Sequence, residues 1–177
     1  MGFRQALAQL RALVPRSEIE VVEAPAPTRL APYAIALTAD VVVDDDEKGT
    51  GRLVLLHDPD GQDTWEGNWR VVVFAKAAQE PEMAGDAILN DVGWSYLTDA
   101  LADGGAAYTA FGGTVTTTYS QPFGAMAGRE PSVELEVRAS WTPATDDIAV
   151  HAVAWHLLLA QLAGLEPIPP GVSQLRR

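Results

Sequence analysis

One stretch decides the fold: residues 132–141 read SVELEVRASW, and apolar and polar side chains alternate along it without a break. The apolar side chains belong to Val133, Leu135, Val137, Ala139 and Trp141. Because successive side chains of a β-strand point to opposite faces, this alternation predicts a strand with one buried and one solvated face. Half-buried strands of this kind are typical of antiparallel sheets.

Other segments rich in aliphatic or β-branched residues and separated by turn residues predict further strands. They span about residues 33–43, 52–56, 65–75 and 108–119, and residues 19–22 allow one short extra strand. The first three of the longer segments form a predicted meander. An acidic turn at residues 44–49 and the turn signal Asp58-Pro-Asp-Gly61 separate them. Alternation within the third places Trp65 and Trp69 on one face.

Helical periodicity predicts three helices, at about residues 3–14, 90–103 and 146–163. Proline or glycine follows each of them, as is common after a helix. The predicted order is α-β-β-β-α-β-β-α, an α+β fold in two layers with helices on an antiparallel sheet. This order resembles the secretion-chaperone-like fold, a class of small acidic dimeric binding proteins. We predict one domain over residues 1–177, with a flexible proline-rich tail from about residue 166.

The composition restricts both the chemistry and the compartment. Cysteine is absent, which excludes disulfides, thiolate metal sites and a cysteine nucleophile, and suits a reducing compartment. The sequence has no run of about 18 apolar residues that would span a membrane. The N-terminus also lacks the basic-then-apolar pattern of a secretory signal. We therefore expect a cytoplasmic protein.

The charge of the chain argues against nucleic acid and membrane partners. Twelve basic residues stand against 24 acidic ones, and the net charge is −12. Proteins that bind nucleic acid or anionic lipid normally present a basic face. An acidic surface instead favours a basic protein partner.

The densest polar cluster of the sequence lies on one predicted hairpin. Its members are His57, Asp58, Asp60, Asp63 and Glu66. A solvated turn explains the cluster most simply, because Asp, Pro and Gly are turn residues. The alternative is a small-molecule or enzyme site on the His57–Glu66 hairpin, in which His57 acts as a general base beside these carboxylates. A calcium loop is not indicated, because the sixth residue from Asp58 is Asp63 where glycine is required.

The two tryptophans of this region add a second hypothesis. Tryptophan is enriched at the energetic centres of protein interfaces, although burial in the core is the more common place for an aromatic side chain. We therefore treat one set of residues as a candidate binding surface. The set is Trp65, Trp69, His57, Asp58 and Glu66. We assign no catalytic residue, no cofactor and no metal.

Three further motifs indicate no site. Ser95 in Gly93-Trp-Ser-Tyr resembles a nucleophile elbow, but the second glycine and the preceding strand are missing. His151 and His156 are five residues apart, whereas paired zinc ligands on one helix face are four apart with a glutamate between them. The acidic run Asp44 to Asp46 indicates a solvated turn.

The leading hypothesis is a protein-interaction domain without catalysis, acting as an adaptor or chaperone-like binder.

The last predicted helix is apolar on more than one face. Val150, Val153, Leu157 and Leu158 lie outside the stripe that serves the sheet. An uncovered apolar surface usually marks an interface, and a two-fold dimer is the most common closed assembly. We therefore predict a homodimer through these residues. The alternative is a monomer in which the first helix or the tail covers them.

Several short segments, spread in order over most of the chain, resemble an actinobacterial family known as domain of unknown function 3000. They read RLAPYA (29–34), LLHDPDG (55–61), WEG (65–67), EPEM (80–83), VGWSYL (92–97) and ASWTP (139–143). The resemblance implies an intracellular actinobacterial protein and transfers no catalytic residue. Genes of this family often lie near one that resembles ribonuclease D. The resemblance therefore suggests a ribonuclease-D-like enzyme as a protein partner.

Overall fold

Six strands and three α-helices make up residues 1–169, the part of the chain that the computed structural model describes. The helices are α1 (Phe3–Ala12), α2 (Leu89–Asp103) and α3 (Ala149–Leu162). The strands are β1 (Ile19–Ala24), β2 (Tyr33–Val43), β3 (Asp46–Gln62), β4 (Gly67–Gln79), β5 (Tyr108–Ser120) and β6 (Ser132–Pro143). Most of the predicted tail, residues 170–177, lies outside the described residues. The predicted α+β class is confirmed.

The predicted element order was one strand short. The segment that the sequence allows as an extra strand is part of β1, which pairs with β2 at one edge of the sheet. The sheet is antiparallel throughout and has the order β1-β2-β3-β4-β6-β5. Strands β5 and β6 form a hairpin, and β6 lies between β4 and β5 in the sheet. Strand β5 therefore forms the second edge. The observed order of elements is α-β-β-β-β-α-β-β-α.

The predicted register of β6 is confirmed, since its five apolar side chains are buried and Arg138 is exposed. The buried side chains face a layer formed by the helices. In this layer α3 packs over β3 and β4, and α2 packs over β5 and β6. Gly51 permits the close approach of α3, because a Cβ there would lie only 2.7 Å from a methyl carbon of Leu159.

The β3–β4 hairpin differs from the prediction. The sequence Asp58-Pro-Asp-Gly61 lies within the extended end of β3, and the chain reverses later, in a 3₁₀ turn at Asp63–Trp65. Glu66 follows this turn in the left-handed conformation, with φ of 54°. This change of backbone conformation resets the alternation of the strand. Trp65 and Trp69 therefore lie on opposite faces of the sheet, and the prediction of a shared face was wrong.

The face of the sheet opposite the helices is only partly covered. A small apolar cluster of Ala36, Val54, Leu56 and Trp65 lies on it, and the chain after β1 packs there through Ala26 and Ala31. Over β4, β6 and β5 this face stays uncovered by any described helix, and we call it the open face. Among the described residues, no helix is long and apolar enough to cross a membrane.

Candidate functional site

The predicted binding set does not form one site. His57 is buried on the helical face, where its ring stacks on Trp69 with 4.0 Å between the ring centroids. Its Nδ1 lies 3.0 Å from the carbonyl oxygen of Asn68, which requires the proton to be on Nδ1. The rings of Phe3 and Tyr33 complete an aromatic cluster around it. His57 therefore serves in packing between α1 and the sheet.

The two carboxylates of the set lie away from this histidine. Asp58 is on the surface, where its oxygens accept hydrogen bonds from the backbone N–H of Asp60 at 3.2 Å and from the side chain of Gln62 at 3.1 Å. Glu66 is exposed after the 3₁₀ turn, and Trp65 is buried on the opposite face of the sheet. Within residues 1–169, no group of three His, Asp or Glu side chains is placed to hold a metal ion.

The histidines of α3 also remain separate. His151 is fully buried, and its Nδ1 accepts a hydrogen bond of 3.0 Å from the indole N–H of Trp141. Burial lowers the pKa of His151 to about 4, although the charge of Asp147 partly opposes this shift. Burial likewise lowers the pKa of His156 to about 4. Both rings are therefore neutral near pH 7, and the geometry assigns them to packing.

The predicted interface on α3 is divided between core and surface. Leu158 is fully buried against the sheet, so it cannot take part in a surface contact. Leu157 and Val153 are 42% and 37% exposed, and they line a groove of about 340 Å³ beside α2. Residues 165, 167 and 168 line the same groove, so part of the C-terminal segment lies beside these side chains.

A different surface stands out along β5. Residues 104–128 contain no Asp, Glu, Lys or Arg, although 20% charged residues in the whole chain would give about five in a stretch of this length. This segment contains all of β5 and residues 121–128, the first part of the loop that follows it. We call β5 and residues 121–128 the uncharged edge, because β5 is paired on one side only, with β6.

The uncharged edge is mostly exposed from Gly112 onward. Between Gly112 and Ser120 only Val115 and Thr117 are half-buried. The hydroxyl of Thr117 donates a 2.6 Å hydrogen bond to the side chain of Asn90, which places the start of α2 beside this strand. Three large apolar side chains are exposed at the end of the strand and in the loop. They are Tyr119 (49%), Phe123 (76%) and Met126 (49%).

A bulge limits the regular part of this strand. The pairing of β5 with β6 is interrupted between Thr109 and Gly112, and Ala110 has φ of 47°. The guanidinium of Arg70 holds the bulge, because it donates a 2.7 Å hydrogen bond to the carbonyl oxygen of Ala110 and another to the hydroxyl of Ser140. From Gly112 to Ser120 the strand is regular, and its outward N–H and C=O groups are available to another strand.

The open face adds a groove of about 440 Å³ next to this edge. Its floor includes Val72 and Phe74, and Gly112 and Thr114 of β5 form one side. The guanidinium of Arg138 lies 5.0 Å from the centre of the Phe74 ring, and it also donates a 2.5 Å hydrogen bond to Glu136. The groove therefore combines an apolar floor with a cation and is continuous with the edge strand.

Sequence reasoning missed the uncharged edge. The signal was present, because a run of 25 uncharged residues is unusual in a chain with a net charge of −12. The position of β5 at the edge was not readable from the sequence, since it depends on which strand of the β5–β6 hairpin pairs with β4.

Comparison with known proteins gives one match. The model of a family described as "Protein of unknown function (DUF3000)" matches residues 1–173. No curated protein and no solved structure matches the chain.

Proposed function

The chain belongs to the DUF3000 family, and from this premise we propose that it is a protein-interaction domain without catalysis, an adaptor or chaperone-like binder. The observation that carries the proposal is the uncharged edge. An exposed row of unpaired backbone groups is a site to which another polypeptide can add as a strand. The exposed Phe123 and Met126 supply apolar anchors next to that row.

The lack of charge on β5 supports this proposal because an edge strand normally carries protection. Proteins prevent accidental strand addition with charged side chains, prolines or short edge strands. The chain has 24 acidic residues, yet the regular part of β5 carries none and has four exposed threonines or serines. An edge that is long, regular and uncharged is suited to a partner.

The alternative proposal is an enzyme or small-molecule site on the His57–Glu66 hairpin. Its support is weaker, because His57 faces Trp69 and Phe3, whereas Asp58 and Glu66 lie on the surface elsewhere. A general base needs to be within hydrogen-bond reach of the proton that it removes. The packing of the ring in an aromatic cluster argues against that role.

The partner and compartment remain proposals from the sequence. A ribonuclease-D-like enzyme would have to offer a basic face, because the rest of this chain carries the whole net charge of −12. The likeness of the predicted element order to secretion-chaperone-like proteins supports a binding role by analogy alone, and the observed order has one strand more. We place this interaction in the cytoplasm, which suits a protein without cysteine.

Site-specific photo-crosslinking tests the proposal. A benzophenone amino acid replaces Thr116 or Phe123 on the uncharged edge, and Val22 of β1 in the control, in cells that express the protein. Val22 is 62% exposed and lies on the other edge strand, so it matches Thr116 in placement. We expect specific adducts from positions 116 and 123 that position 22 does not give.

A captured protein must then bind the purified chain. We expect the double variant Thr116→Lys/Thr118→Lys to weaken that binding at least tenfold, because both lysines project from the edge strand. Another copy of this chain counts as a captured protein. Equal adducts from all three positions, or a partner that binds the lysine variant as tightly as wild type, would contradict the proposal.

A further inference from the structure

We infer that the strand completing the uncharged edge is β5 of a second copy, which joins two six-stranded sheets into one of twelve strands. The inference rests on the proposed function, because it names the occupant of the same edge. It moves the homodimer contact from α3, where the sequence placed it, to β5.

The charge distribution favours a second copy. Two molecules that each carry a net charge of −12 repel one another, and the repulsion is greatest where carboxylates would face each other. Residues 104–128 are the longest part of the sequence without a charged residue. Along β5 two copies can therefore approach without placing like charges opposite each other. A partner selected by charge would find no charged group on this strand to recognise.

The geometry of the strand defines one symmetric register. A two-fold axis perpendicular to the sheet makes the two strands antiparallel and places a residue opposite its own copy. The regular part of β5 runs from Gly112, where the bulge ends, to Ser120, where the strand ends. The midpoint of this part is Thr116. Centring the axis there pairs nine residues on each strand, a contact of about 30 Å at roughly 3.4 Å per residue.

The side chains in this register are complementary. Thr116 faces its own copy, and Thr114 faces Thr118 of the second copy, all on the open face. Cross-strand threonine pairs stabilise antiparallel sheets. On the helical face Gly113 faces Tyr119 of the second copy, and an aromatic ring that covers a cross-strand glycine is a known stabilising arrangement. Over the whole contact, side chains of the open face therefore lie beside open-face side chains of the second copy, and side chains of the helical face lie beside helical-face side chains.

The same axis places the helices of both copies on one side of the joined sheet. Because α2 begins beside Thr117, the exposed side chains of Ile88 and Tyr119 lie near the contact, and a second copy would bring cover to them. The open faces of the two copies become continuous on the other side. Each groove beside Phe74 and Arg138 then lies on this continuous face, with Gly112 and Thr114 of the paired strand along one side.

Sedimentation equilibrium between 1 and 100 µM tests the inference with three proteins: wild type, Thr116→Lys and the matched control Val22→Lys. Both variants change the net charge equally, and both side chains belong to an edge strand and lie on the side of the sheet opposite the helices. We expect twice the chain mass of 18.9 kDa for wild type and for Val22→Lys. Thr116→Lys places two ammonium groups opposite each other at the axis, and we expect it to raise the dimer dissociation constant at least tenfold. Circular dichroism melting verifies that it stays folded.

A single cysteine tests the register, because the chain contains no other cysteine. At the axis the two Cα atoms of Thr116 would be about 4.5–5.5 Å apart, within the range that a disulfide spans. The two Cα atoms of Thr114 would be about 14 Å apart, since four residues offset them along the strands. We expect Thr116→Cys to form a covalent dimer under mild oxidation and Thr114→Cys to remain a monomer on the denaturing gel.

The outcomes separate this inference from the proposed function. A wild-type monomer at 100 µM, or a dimer that Thr116→Lys leaves intact, overturns the second copy as occupant. If position 116 then crosslinks to a different protein whose binding requires the uncharged edge, the proposed function stands and only the occupant is wrong. If position 116 also captures nothing that position 22 does not, both fail.

Discussion

The two edges of the sheet differ in length and in charge. The β1 edge has six residues, two of them glutamates. Glu23 within it pairs with Arg11 at 2.6 Å, and Glu18 just before it pairs with Arg16 at 2.9 Å. The β5 edge has thirteen residues and no charged group. Charged side chains are therefore present on the β1 edge and absent from the β5 edge. Because charged side chains on an edge strand oppose the addition of another strand, this difference indicates that another strand pairs with β5 and not with β1.

The largest expected effect comes from the core beneath the β5 side of the sheet. Leu135 of β6 is buried, pairs with Thr117 of β5 and lies against α2 at Gly93. We expect Leu135→Ala to lower the free energy of unfolding by about 2–5 kcal/mol, the usual range for a buried leucine. Urea denaturation measures this loss. The exposed neighbour Thr118 provides the control, and a loss for Leu135→Ala no larger than for Thr118→Ala would contradict the packing.

The two histidines of α3 make the stability of the fold depend on pH. Histidine has a pKa of about 6.5 in an unfolded chain, whereas burial lowers the pKa of His151 and His156 to about 4. Between these values the unfolded state binds protons that the folded state does not, so the free energy of unfolding falls as the pH falls. The slope is at most about 1.4 kcal/mol per pH unit for each histidine.

Urea denaturation between pH 7.5 and pH 5 measures this slope, and His156→Gln should make it shallower. Glu18 does not contribute in that range. Arg16 lowers its pKa to about 2, so its stabilisation is lost only as the pH falls from about 4.5 towards 2. A free energy of unfolding that stays constant from pH 7 to pH 5 would contradict the burial of both rings.

Two adjacent glycines on β5 provide the next test. A Cβ at Gly113 would lie 2.8 Å from the Cα of Ala139 and still closer to the carbonyl oxygen of Arg138, whereas a Cβ at Gly112 meets nothing within 4 Å. We expect Gly113→Ala to force β5 away from β6 and to destabilise the protein by about 1–3 kcal/mol. Gly112→Ala should change stability much less. Thermal melting of the two variants measures this difference, and equal melting temperatures would argue against the close approach of β5 to β6 at Gly113.

The smallest effect tests whether charge protects the β1 edge. The double variant Glu20→Thr/Glu23→Thr gives β1 the threonine-rich, uncharged character of β5. We expect weak additional association, because the second edge then becomes available for pairing. Sedimentation velocity should show species larger than those of wild type at high concentration. An unchanged distribution would mean that the length of β1, and not its charge, prevents pairing.

Local patterns predicted much of the fold. The alternation around Val137 and Arg138 gave the correct faces of β6. The acidic turn between β2 and β3 is present but shorter than the predicted residues 44–49, because only Asp44 and Asp45, both at positive φ, separate the two strands. The prediction from alternation was wrong at Trp65. Glu66 has a left-handed backbone conformation, which places Trp65 and Trp69 on opposite faces, and no side-chain pattern in the sequence indicates this conformation. Local patterns therefore describe a strand well only as far as its next irregularity.

The candidate site was harder to predict than the fold. A β-hairpin such as β5–β6 can join a sheet through either of its strands, and the choice depends on contacts with β4 that are distant in sequence. The exposed position of β5 follows from that choice. The hairpin around His57 was a plausible site in sequence because its polar residues are neighbours along the chain. Their side chains lie in different places because the strand alternates and then turns at Asp63–Trp65.

Hydrogen–deuterium exchange at two protein concentrations tests the comparison of the edges most directly. Peptides that cover residues 113–120 and residues 19–24 are followed at 1 µM and at 100 µM. We predict that exchange slows at the higher concentration within residues 113–120, where outward backbone N–H groups become paired, and stays the same within residues 19–24. Exchange at 113–120 that does not depend on concentration, or slowing at both edges alike, would contradict the account.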